Sequence, residues 1–139
     1  ILDLFLCQMT VESTTELARC VENNGLANLR RLTLSSNENV GSSTHLFHVL
    51  HKCPQLQRLR WQGCSMTQES LNIFLSTFNS NTFQQLDEIL LYENEEIKVD
   101  DNFFIALEKC PKISFVSLSE CVESDLSEVG RKAKETLEQ

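Results

Sequence analysis

The stretch LQRLRWQGC, residues 56–64, places Leu56, Leu59, Trp61 and Cys64 in the frame L-x-x-L-x-L-x-x-C, with a tryptophan in the third apolar slot. Its L-x-W centre alternates with period two, the pattern of a short strand that buries one face. Three more complete copies of the frame follow the same spacing: Leu29, Leu32, Leu34 and Asn37; Leu86, Ile89, Leu91 and Asn94; Ile113, Val116, Leu118 and Cys121. A truncated copy, Leu2, Leu4 and Cys7, opens the chain. The closing residue alternates between Cys and Asn at positions 7, 37, 64, 94 and 121, in steps of 30, 27, 30 and 27. The unit is therefore a pair of segments, 57 residues long.

Laying residues 7–63 over 64–120 without a gap gives fifteen identities, among them Lys52-Cys53-Pro54 against Lys109-Cys110-Pro111. Self-similarity of this kind is what stacked repeats require. After each strand the apolar residues change to helical spacing, as in Leu46, Val49, Leu50 and in Leu71, Phe74, Leu75, Phe78. Thr10 and Thr67, each followed two residues later by a glutamate, read as helix N-caps with an acid in the first turn. Asp100 and Asp101 read the same way. Pro54 and Pro111 end the helices, because proline cannot continue one and pushes its predecessor towards extended geometry. Strand, turn, helix, turn is one segment.

Composition narrows the class. Twelve basic and twenty acidic residues leave a net charge of −8, which repels phosphate backbones, so nucleic acid is not expected as a partner. No apolar run approaches the roughly 20 residues that cross a bilayer, and the first residues lack the basic region of a signal peptide. No membrane insertion is expected. Six cysteines accompany 41% hydrophobic residues, enough for an ordinary core, so the thiols are expected to be reduced and packed.

The frame resembles the leucine-rich-repeat family, and more narrowly the ribonuclease-inhibitor-like subtype, which alternates cysteine-type and asparagine-type repeats. That resemblance implies an α/β solenoid, a horseshoe arc of about five repeats, with a parallel sheet on the concave side and helices on the convex side. Residues 1–121 would hold the repeats, with strands near 2–5, 31–35, 58–62, 88–92 and 115–119. Residues 122–139, with a thin stripe of Leu126, Val129, Ala133 and Leu137, would form a capping helix with no further strand. Among proteins of this kind the closest likeness is to the C-terminal repeats of NOD-like receptors of innate immunity. It implies a cytoplasmic module that senses ligands, contacts a protein partner or holds its own receptor autoinhibited. The phrase from Cys53 to Cys64 also resembles the repeats of F-box proteins, which recruit substrates for ubiquitin ligation; those are more uniform than the 27/30 alternation. A free-standing ribonuclease-inhibitor-like inhibitor is the third reading. Because Ile1 begins inside a strand, the chain is expected to continue a longer protein, with an edge inclined to self-association.

Within this frame Cys7, Asn37, Cys64, Asn94 and Cys121 share a structural slot at the strand's end, where a side chain bonds backbone groups that the turn leaves bare. Cys53 and Cys110 belong to the helix-ending phrase, and Cys20 sits in the first helix. His45, His48 and His51 fall three apart in one helix, on the side away from Leu46, Val49 and Leu50; no metal site is expected there. There is no phosphate loop, no nucleophile elbow and no CxxC pair, so neither catalysis nor a cofactor is expected. The acidic run Glu93, Glu95, Glu96, Asp100, Asp101 reads as a solvated loop, since Ile97-Lys98-Val99 interrupts any calcium pattern.

Binding, by contrast, has an obvious place: the side chains between the buried leucines. Arg30, Arg31, Arg58 and Arg60 gather on two neighbouring strands, Gln62 follows them, Asp87, Glu88, Tyr92 and Glu93 take the next strand, and Phe115 the last. Arginine with tyrosine is the composition of interface anchors. The plainer reading is that these arginines and acids neutralise one another across strands. Trp61, with Arg60 and Gln62 beside it, is the distinctive feature of its segment and is expected to mark any local function.

Overall fold

A computed structural model describes residues 1–3, 8–119, 121–123 and 126–138. In chain order the elements are β1 (Leu2–Asp3), α1 (Val11–Glu22), β2 (Arg31–Thr33), α2 (Thr44–Val49), β3 (Arg58–Arg60), α3 (Gln68–Ser76), β4 (Glu88–Leu90), β5 (Lys98–Val99), α4 (Asp101–Leu107), β6 (Phe115–Ser117), β7 (Val122–Glu123) and α5 (Glu128–Leu137). The fold is mixed α/β, with five α-helices and a five-stranded parallel sheet in the order β1-β2-β3-β4-β6.

Register follows the repeated frame. Leu2, Leu32, Leu59, Ile89 and Val116 stand side by side across the sheet, so the second apolar slot of every copy meets its counterpart. The three-residue strands are shorter than the frame suggests, but backbone pairing runs on past them. Leu34 N–H donates to Arg60 O and Ser36 N–H to Gln62 O, both at 2.9 Å. The same two bonds recur one strand on, from Trp61 to Leu90 O and from Gly63 to Tyr92 O, and again from Leu91 to Ser117 O and from Glu93 to Ser119 O. Immediately afterwards each chain turns away with positive φ, 59° at Ser36, 56° at Gly63 and 62° at Glu93. Only the middle one is a glycine, the residue that takes this conformation without strain.

Between sheet and helices lies one core. Leu32, Leu34, Leu56, Leu59, Leu86, Ile89, Leu91 and Val116 meet Ala18, Val21, Leu46, Phe47, Leu71, Phe74, Phe103 and Leu107 there, all within 2% of full burial. Trp61 belongs to it as well. The ring is fully buried, edge-on to Phe47 at 4.8 Å and to Phe74 at 4.9 Å. The expectation that it marks a surface function is thus corrected: a large ring fills the leucine slot because two phenylalanines flank it. Its Nε1 is the single buried side-chain nitrogen or oxygen without a hydrogen-bond partner among the described residues.

Helix entries follow the capping logic. Thr10 accepts from Ser13 N–H at 3.0 Å, Thr67 from Ser70 N–H at 3.1 Å and Asp100 from Asn102 N–H at 2.9 Å. α2 tightens into a single 3-10 turn, Leu50–Lys52, before Cys53 and Pro54. Each helix packs on the next along the chain, α1 on α2, α2 on α3, α3 on α4 and α4 on α5. α5 is also tied to the sheet and to α4: Glu138 accepts from Leu118 N–H at 2.9 Å, and Asp101 accepts from Ser127 N–H at 3.1 Å.

One expectation fails here. The segment after Cys121 does contain a strand, β7, which pairs in parallel with β5 as a second, two-stranded sheet. β5 lies inside the acidic run read as loop. Its signal was the alternation Ile97 buried, Lys98 exposed, Val99 buried, a period-two pattern only three residues long. Among the described residues, no helix is long and apolar enough to cross a membrane.

Candidate functional site

Two sets of side chains carry the chemistry at the sheet: the slot at the strand ends and the face turned away from the helices. In the slot, Asn94 donates through Nδ2 to Trp61 O and Leu91 O, both at 2.7 Å, and accepts through Oδ1 from Cys64 N–H at 3.2 Å and Met66 N–H at 3.0 Å. Asn37 does the equivalent work one unit earlier, donating to Leu34 O and Ser35 O and accepting from Met9 N–H. Each asparagine therefore binds its own strand end and the backbone of the preceding segment. The cysteines do less. Cys64 Sγ donates to Trp61 O at 3.2 Å and Cys121 Sγ to Leu91 O at 3.3 Å. Cys7 and the end of the first expected strand lie outside the described residues.

The five described cysteines are free thiols. Burial pushes the Cys64 thiol up to about 12, against backbone N–H groups that pull the other way. Burial likewise raises Cys110 to about 12 and both Cys53 and Cys121 to about 11. Such thiols stay protonated at neutral pH and are weak nucleophiles and metal ligands. His45 meets the Glu22 carboxylate at 3.1 Å, while His51 hydrogen-bonds the His48 carbonyl at 2.8 Å. Among the described residues, no three His, Cys, Asp or Glu side chains stand close enough together to hold a metal.

On the open sheet face the register lines up Arg31, Arg58, Glu88 and Phe115 in one row and Thr33, Arg60, Leu90 and Ser117 in the next. Arg58 Nε lies 3.7 Å from Asp87 Oδ1, and Arg60 Nε donates to Glu88 Oε2 at 3.2 Å. Above them Tyr92 donates its hydroxyl to Gln62 Oε1 at 2.5 Å, and Gln62 donates on to Glu93 Oε2 at 2.9 Å. β3 and β4 are thus knitted together by charge and hydrogen bonds. Arg30 and Arg31 are different. Arg30 is exposed, Arg31 half-buried, and among the described residues neither has an acidic partner. At the other end Leu90 and Phe115 sit half-buried on adjacent strands, an apolar spot with Ser117 and Ser119 beside it.

All ten candidate residues therefore lie on or at the margins of one sheet. The partition into neutralised and unneutralised arginines follows from strand order, since the acids stand at β4, beside β3 but two strands from β2. Leu90 belongs to the same face, as its slot between Ile89 and Leu91, pointing away from the core, leads one to expect. Among the described residues a largely apolar cleft lies between α4 and α5, against Phe104, Leu107, Ile113, Ala133 and Leu137. No protein-family model and no curated protein matches this chain.

Proposed function

We propose that the chain is a leucine-rich-repeat solenoid of about five repeats and that its concave sheet face binds a protein, either a separate partner or another domain of the same polypeptide. The observation that carries this reading is the in-register parallel stacking of one repeated slot, Leu2, Leu32, Leu59, Ile89, Val116, which leaves a continuous face of alternate side chains free of helices. Support for binding comes from what stands on that face: guanidinium groups, a tyrosine and a half-exposed phenylalanine, the residue types that anchor interfaces. By resemblance the parent would be a cytoplasmic NOD-like receptor, with this module sensing a ligand or keeping the receptor inactive. The test is capture of partners from cell lysate by Arg58→Glu with Arg60→Glu, beside a control with Glu12→Lys and Glu16→Lys on α1. Loss of the same bands in the first variant alone, with melting temperature preserved, is the expected result. Equal capture by wild type and both variants would overturn the assignment to this face.

A further inference from the structure

We propose that the open sheet face takes an acidic, extended peptide segment whose carboxylate meets Arg31, with Arg30 at the margin beside it, and whose apolar side chain, four residues further along, reaches the spot formed by Leu90 and Phe115. This rests on the reading of that face as a binding surface and narrows the partner.

Charge points to the first contact. Arg58 and Arg60 already hold Asp87 and Glu88, whereas no described carboxylate holds Arg30 or Arg31. In a chain of net charge −8, these two guanidiniums are the local exception that favours an anion. A guanidinium fork matches a carboxylate in two parallel N–H···O bonds, so the face offers geometry as well as charge. Register points to the second contact. Arg31 and Phe115 stand in the same row, separated by β3 and β4. Three strand spacings put them about 14 Å apart. An extended peptide laid across the strands advances about 3.3 Å per residue, so side chains four apart are separated by about 13 Å. The even interval keeps both side chains on the side that meets the sheet. Between these ends the Arg58–Asp87 and Arg60–Glu88 pairs leave no free charge for a linker to satisfy, and an uncharged spacer fits there.

The experiment uses the full chain and fluorescein-labelled peptides with one glutamate, an uncharged spacer and one leucine placed two, four or seven residues on, read by fluorescence anisotropy. The four-residue spacing binds tightest, Arg30→Gln with Arg31→Gln weakens it about tenfold, and Phe115→Ser weakens it about fivefold. Val129→Ser, at an exposed position of α5, changes nothing. Affinity independent of spacing, no binding by any peptide, or unchanged affinity in the double arginine variant at native melting temperature overturns the proposal. Lysate capture separates this failure from failure of the face itself. Capture abolished by Ser117→Trp but indifferent to the arginine pair would sink the acidic segment and leave the face standing. Capture indifferent to both would sink the face.

Discussion

With one buried side chain Asn94 gives two hydrogen bonds to backbone carbonyls and receives two from backbone N–H groups, besides a longer one from the Cys64 thiol. Removing it leaves two N–H groups without partners and two carbonyls with only a weak thiol donor each, in a site closed to water where an unmet group costs roughly 1–3 kcal/mol. Asn94→Ala should therefore lower stability by about 3–5 kcal/mol in urea unfolding, and Asn94→Cys by about half as much, since a thiol still donates to a carbonyl. The slot's role was legible from the alternation of Asn with Cys; its reach into the preceding segment was not, because a spacing says nothing of what lies 30 residues away. Trp61 shows the converse. Its slot already implied burial, and only the size of the ring suggested otherwise. The thiols yield a pH prediction with a definite sign. In the unfolded chain Cys64 and Cys110 ionise at the ordinary value of 9.0, while burial holds them protonated in the fold to about 12. Folded protein then binds more protons than unfolded above pH 9, so their contribution is complete below that pH and is lost as pH climbs towards 12. Urea midpoints should fall across this window, and Cys64→Ala with Cys110→Ala should flatten the fall while lowering stability at pH 7. With exposed Cys20 open to attack, a thiol reagent should reach buried Cys53, Cys64 and Cys110 only on unfolding.

At the level of elements, the loop from β2 to α2 shows how close the segments approach. Gly41 donates its N–H to Cys64 O at 2.9 Å and accepts from Thr67 N–H at 3.1 Å. A methyl group there would land on the Cys64 carbonyl oxygen, the Ser65 carbonyl carbon and the Met66 nitrogen. None of these is a side chain that can swing aside, so Gly41→Ala must pry two backbones apart. A loss of about 3 kcal/mol or more is expected in thermal or urea unfolding. The strands, their register and the caps at Thr10, Thr67 and Asp100 were legible because each depends on residues within one segment. What escaped was the second sheet. In the unit 57 residues later the place of Gly41 is taken by Lys98, and there the same close approach is regular enough to become β5 against β7. A pairing of two residues leaves no periodicity long enough to read.

For the whole molecule, the substantial contacts between helices and between strands join elements of consecutive segments. Strands lie across the direction of stacking, and the bonds between them, the asparagine links included, point along it. This arrangement governs what happens under mechanical load. A chain held by its two ends is pulled along the stack, so each boundary is opened bond after bond, as a zipper is, instead of being sheared all at once. The expected record in an optical trap is a series of low-force steps and not a single rupture. Each step should release 27 or 30 residues, a gain of about 95–105 Å at about 3.5 Å per residue. A single high-force event would mean that the segments share load in parallel. By this route tension applied at either end would strip the open sheet face one strand at a time, and the proposed affinity of that face would then become a function of force.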